Sequence, residues 1–155
     1  MAFTSSIFEQ EELAFADRKE SIVRGGFHLF DKLPQAFEGI SQIGVIGWGS
    51  QGPAQAQNLK DSLEGTAIKV AVGLREGSGS FEAAKRAGFS EEDGSLGEMF
   101  SVIKASDLVV LLISDAAQTK LYKEVFAALK PGATLGLSHG FLLGYLDSLG
   151  EAFPQ

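Results

Sequence analysis

Residues 47–52 read Gly-Trp-Gly-Ser-Gln-Gly, the G-x-G-x-x-G spacing that can hold a pyrophosphate. Each glycine has its own task. Gly47 permits a tight turn off a strand. Gly49 has no Cβ, so a pyrophosphate can approach the backbone. Gly52 lets the next helix pack against that strand. The exposed N–H groups and the positive end of the helix dipole then face the anion. Trp48 has two readings: it walls the phosphate pocket, or it covers the end of the sheet.

The nucleotide is read 23 residues after Gly52, where an NAD site places an Asp or Glu for the ribose 2′-hydroxyl. This chain has Arg75 there, whose guanidinium forms a bidentate bond with a 2′-phosphate. Ser78 and Ser80 add hydroxyl donors, and Ser80 stands at the start of a short helix. The set favours NADP(H) over NAD. Glu76, turned into the pocket, would favour NAD, and the plainer alternatives are a solvated Arg75 and a Ser80 that only caps its helix.

Two further groups stand at strand ends, where ligands lie in doubly wound sheets. Asp115 opens a helix, as a cap or as a ligand contact, and Gln118 lies in the first turn of that helix. His139, in Ser138-His139-Gly140, follows the last strand and is the candidate for proton transfer or substrate orientation. His28 reads as a surface residue.

Alternating strands and helices must position these groups. Strands are expected at Ile43–Ile46, Ile68–Leu74, Leu108–Ile113 and Ala133–Leu137. Helices are expected at Gln51–Leu63, Ser80–Ala87, Leu96–Ala105 and Asp115–Leu129. Pro53 sits in a first helical turn, where its missing N–H costs nothing. This alternation predicts an α/β, Rossmann-like, doubly wound and mostly parallel sheet over residues 41–155. Residues 1–40 read as a polar, aromatic leader with one short helix, Phe27–Phe37.

Composition excludes several other functions. The net charge of −7 argues against a broad nucleic-acid face. No apolar run approaches the ~20 residues of a membrane-spanning helix. The absence of cysteine excludes disulfides, thiolate nucleophiles and cysteine-ligated zinc. The first residues, MAFTSSIFEQEELAF, match neither a secretory signal nor a transit peptide. Glu91-Glu92-Asp93 reads as a solvated loop, and no acidic pair stands where a metal ligand is expected.

The segments VRGGFHLFDKLPQAFEGISQIGVIGWGSQGPAQAQNL, GLREGSGSFEAAKRAGF, LVVLLISDAAQ and GLSHGFLLG closely resemble plant-type ketol-acid reductoisomerases, over nearly the whole chain. The resemblance implies an NADPH-dependent enzyme of valine and isoleucine synthesis. It would couple a magnesium-dependent alkyl migration to reduction of a 2-hydroxy-3-keto acid, 2-acetolactate or 2-aceto-2-hydroxybutyrate. It implies that Trp48, Gly49, Ser50 and Gln51 cradle the cofactor, that Arg75, Ser78 and Ser80 hold the 2′-phosphate, that Asp115 and Gln118 line the cofactor site, and that His139 is the active-site histidine. One departure is Gly79, where plant members carry a basic residue between the two serines.

The family has a further helical domain that carries its Mg2+ ligands and most of its substrate site, so the chain reads as an N-terminal cofactor-binding fragment with an incomplete sheet. Alone it is expected to bind NADPH without turnover. The alternative is a non-catalytic NADPH-binding module or truncated paralogue. An open sheet edge predicts self-association into a homo-oligomer. The expected location is the plastid for a plant or algal source, and otherwise the cytoplasm. A hydroxy-acid dehydrogenase is disfavoured because its strand-end loops would not carry both SDAAQ and SHGF.

Overall fold

The computed structural model describes residues 4–153 and divides into two units, Met1–Gly39 and Ile40–Gln155. The first unit differs from the expected leader with a single helix. It holds an antiparallel hairpin of β1 (Glu11–Phe15) and β2 (Arg18–Ile22), a 3-10 turn at Phe27–Lys32 and one short helix, α1 (Leu33–Ala36). The hairpin turns on Ala16-Asp17, with Ala16 at φ 54°. Two-residue hairpin loops favour Asn and Gly for that conformation, so this turn carries no sequence signal. The strands lack apolar alternation, and Lys19 reaches diagonally to Glu12 at 3.4 Å. His28 is exposed, as expected.

The second unit is a five-stranded parallel sheet in the order β5-β4-β3-β6-β7. Its strands are β3 (Gln42–Ile46), β4 (Lys69–Leu74), β5 (Leu96–Glu98), β6 (Leu108–Leu111) and β7 (Thr134–Leu137). Helices α2 (Gly52–Ser62), α3 (Ser80–Arg86), α4 (Met99–Ala105), α5 (Asp115–Ala128) and α6 (Phe141–Leu149) follow their strands. This is the Rossmann-like α/β architecture that the alternation predicts.

Strand period sorts the core into two layers. Ile46 and Ala71 pack with Val102 and Ile103 of α4, Tyr122 and Val125 of α5, and Leu142 and Leu146 of α6. The alternate positions Ile43, Val45, Val70 and Val72 are equally buried, on the face that α2 and α3 cover with Ala56, Leu63 and Ala84. Parallel strands covered on both faces read as continuous apolar runs, which is why β3, β4 and β6 are legible in the sequence.

Three expectations need correction. Residues 96–105 are not one helix: 96–98 form the edge strand β5, and Glu98, at φ −64° and ψ 140°, then caps α4. Its carboxylate accepts from the N–H groups of Phe100 at 3.0 Å and Ser101 at 2.9 Å. Burial pushes this carboxyl up, but those N–H groups outweigh it and hold it below its ordinary value. Glutamate is not among the favoured capping residues, so the break is hidden. The strand expected to reach Ile113 ends at Leu111, and α6 has no counterpart among the expected elements.

Asp107 ties together the strand starts at the end of the sheet away from the glycine turn. Its carboxylate accepts from Ser41 N–H at 2.8 Å, Gln42 N–H at 3.1 Å and Lys130 Nζ at 2.7 Å. The Lys130 bond and then the two N–H groups lower its pKa from 3.8 to about 2. A depressed carboxyl pKa adds stability above pH 3.8, and that stability is lost as pH falls through about 2. D107N is therefore expected to cost on the order of 1–2 kcal/mol at pH 7, discounted for partial exposure. In urea unfolding the gap to the parent chain should narrow steadily from pH 4 downward. A gap that stays constant with pH would contradict this account.

Candidate functional site

The glycine turn leaves β3 and enters α2. Gly47 has φ 108°, and its N–H donates to Gly73 O at 3.0 Å. A Cβ on Gly47 would stand 2.8 Å from the Leu112 carbonyl oxygen, and one on Gly52 would run into the Gly47 carbonyl. Both hydrogens are thus required by backbone packing between strand, turn and helix. A Cβ on Gly49 would meet nothing within 4 Å. The turn is therefore open to a ligand at Gly49 and closed by protein at Gly47 and Gly52. No side chain caps the start of α2, so its first N–H groups stay available to an anion.

The turn forms one wall of a cleft of about 580 Å³ at the carboxyl ends of β3, β4 and β6. β3 and β6 are where the strand order reverses, the place where open α/β sheets bind ligands. Gly47, Trp48 and Gly49 line it from the turn, Leu74 lines it from the end of β4, and Arg75, Ser78 and Ser80 line it from the segment that follows. Leu112, Ile113, Ser114, Ala116, Ala117, Lys120 and Leu121 line it from β6 into α5. Trp48 lines the cleft and packs edge-to-face on buried Phe89, with ring centroids 5.6 Å apart.

Six expected residues share this cleft: Gly47, Trp48, Gly49, Arg75, Ser78 and Ser80. The others stand around it. Ser50, Gln51 and Gly52 continue the turn into α2 and are outside the lining, as is Glu76. Gly79, not Ser80, is the N-cap of α3, and Ser80 N–H donates to Ser78 Oγ at 3.2 Å. Ser80 therefore makes no side-chain cap and leaves its hydroxyl for the cleft. Asp115 does not cap α5 either, because Ser114 Oγ accepts from Ala117 N–H at 3.3 Å. Gln118 is buried, and its amide donates to Ile113 O at 3.0 Å, which fixes the turn from β6 into α5.

Asp115 and His139 come together from adjacent strand ends. His139 Nε2 lies 3.4 Å from Asp115 Oδ1. Phe141 N–H donates to His139 Nδ1 at 3.3 Å. In the neutral ring the proton then sits on Nε2 and points at the carboxylate. Nothing in the sequence spacing joins these residues; the β6–β7 pairing does.

The residues missed by sequence reasoning lie mainly on α5. Ala117, Lys120 and Leu121 follow an i, i+3, i+4 spacing and share one helix face toward the cleft. The available signal was the pair of small residues Ala116-Ala117 just after a strand. Among the described residues, no group of three or more His, Asp or Glu side chains stands together as a metal site.

A family model described as the acetohydroxy acid isomeroreductase NADPH-binding domain matches residues 39–147. The chain is 59% identical to the chloroplastic ketol-acid reductoisomerase of Spinacia oleracea, across 99% of this chain and 26% of that protein. It is also 59% identical to the chloroplastic enzyme of Pisum sativum, across 99% of this chain and 27% of that protein. Among solved structures, an NADH-preferring ketol-acid reductoisomerase from an uncultured archean superposes with a TM-score of 0.57. It is 31% identical, with coverage of 74% of this chain and 33% of that one. The chain thus spans about a quarter of the length of the curated relatives it matches. A parallel sheet opening on a glycine-turn cleft, joined to a family match over most of the chain, shows that this protein belongs to the acetohydroxy acid isomeroreductase family and carries its NADPH-binding domain.

Proposed function

We propose that this chain supplies the NADPH site of a ketol-acid reductoisomerase acting on a 2-hydroxy-3-keto acid of valine and isoleucine synthesis. The observation that carries the reading is the joint placement of the open Gly49 turn and Arg75, Ser78 and Ser80 in one cleft. When bound, NADPH supplies a hydride. The glycine turn and the uncapped start of α2 would bind the pyrophosphate through N–H groups. Arg75, Ser78 and Ser80 would bind the 2′-phosphate. The apolar wall of Leu112, Ile113 and Leu121 would keep water from the bound dinucleotide.

His139 is the proposed active-site histidine. The Phe141 N–H and the Asp115 carboxylate hold its ring in one tautomer, at the strand end beside the cleft. The family's Mg2+ does not fit the described residues, which assemble no metal site. A plastid location is proposed for a plant or algal source, on the strength of the two chloroplastic relatives.

The test is calorimetric titration of the purified chain with NADPH and NADH. Tighter binding of NADPH is expected. Equal or tighter binding of NADH would overturn the assignment, and an archaeal relative that prefers NADH makes that outcome a real alternative.

A further inference from the structure

We propose that Lys120 contributes to cofactor choice: its ammonium and the Arg75 guanidinium grip the 2′-phosphate of NADPH from two sides of the cleft. This rests on the NADPH reading above and deepens it. Arg75 follows β4 and Lys120 sits on α5, which follows β6. β4 and β6 flank β3 on opposite sides, so the two cations belong to segments that line the cleft from either side of β3.

Three observations converge on this pair. The chain has 20 acidic against 13 basic residues, yet the residues lining the cleft include Arg75 and Lys120 and no Asp or Glu. The formal charge of the lining is therefore positive, opposite in sign to that of the whole chain, which suits an anion. Next, most of the other lysines are engaged elsewhere. Lys85, Lys123 and Lys130 form ion pairs, and Lys32, Lys60 and Lys69 donate to backbone carbonyls. Among the described residues, neither Lys120 nor Arg75 has such a partner, although Glu124 lies four residues beyond Lys120 on the same helix. Finally, Gly79, between the two serines, brings no side chain to the phosphate, and Glu76 stays outside the lining. The segment after β4 thus offers one cation where a phosphate monoester carries nearly two negative charges at pH 7.

The ribose of NADH carries a neutral 2′-hydroxyl, so a cation aimed at that position discriminates between the cofactors. One aimed at the pyrophosphate does not. The experiment is calorimetric titration of the parent chain, K120Q and K120R with NADPH and NADH at fixed ionic strength. K120Q is expected to weaken NADPH about fivefold, the effect of one solvent-screened ion pair, and NADH less than about twofold. K120R should return the NADPH affinity to within about twofold of the parent. A parent chain that prefers NADPH, with an unchanged NADPH-to-NADH ratio in K120Q, overturns the role of Lys120 alone. A parent chain without NADPH preference overturns the cofactor reading and this inference together.

Discussion

R75Q is expected to raise the dissociation constant for NADPH by about 10- to 100-fold and to change that for NADH by no more than about twofold. Arg75 is exposed at the mouth of the cleft, follows the last residue of β4 and has no ion-pair partner among the described residues. Its removal therefore leaves no buried charge behind and should not disturb the sheet. Glutamine keeps the stem and the planar amide but loses the charge and the bidentate fork. The loss falls on the 2′-phosphate, which only NADPH has. Arg75 should matter more than Lys120, because a bidentate guanidinium exceeds a flexible ammonium in both energy and geometry. An equal loss for the two cofactors would place Arg75 on the pyrophosphate and remove the basis for NADP preference. Raising the salt concentration should shrink the effect, since the pair is solvent-exposed.

The second large effect belongs to the glycine turn and acts on the fold. G47A is expected to destabilise the chain by about 3 kcal/mol and to lower its melting temperature by roughly 10 °C. Two costs combine. At φ 108° an alanine lies outside the regions open to L residues. Its Cβ would also stand 2.8 Å from Leu112 O, a backbone atom that moves only if the end of β6 moves. G49A is the control, because a Cβ there meets nothing within 4 Å. It should melt within about 2 °C of the parent yet bind NADPH and NADH equally weakly, since it would intrude where the pyrophosphate is proposed to approach. Thermal denaturation and titration of both variants separate scaffold from ligand contact. A G47A protein that melts with the parent would contradict the packing account. A G49A protein with full affinity would remove the pyrophosphate from this turn.

The legible parts of the chain are those whose physics is local. β3, β4 and β6 are buried on both faces and read as unbroken apolar runs. The starts and stops of α2, α3 and α5 stand within a residue or two of expectation, because Pro53, Gly88 and Lys130-Pro131-Gly132 act on their nearest neighbours. The hairpin at 11–22 and the strand at 96–98 are hidden for the opposite reason. The hairpin turn uses an alanine at positive φ, and β5 is three residues long and exists only by pairing with Val72, Gly73 and Leu74.

Residue types and short spacings by themselves point to a dinucleotide turn at Gly47–Gly52, to an arginine with two serines in place of the NAD acid, and to a parallel α/β fold. Those features depend on contacts within a few residues. The sequence leaves the membership of the cleft undecided, because that depends on which strands become neighbours. Strand order 5-4-3-6-7 brings Lys120 across from Arg75 and sets Asp115 against His139 at 3.4 Å. It also turns Gln118 inward to hold Ile113 O rather than toward the cleft. Period and propensity say nothing about pairing between strands, so only the folded sheet decides which of these side chains can share a ligand.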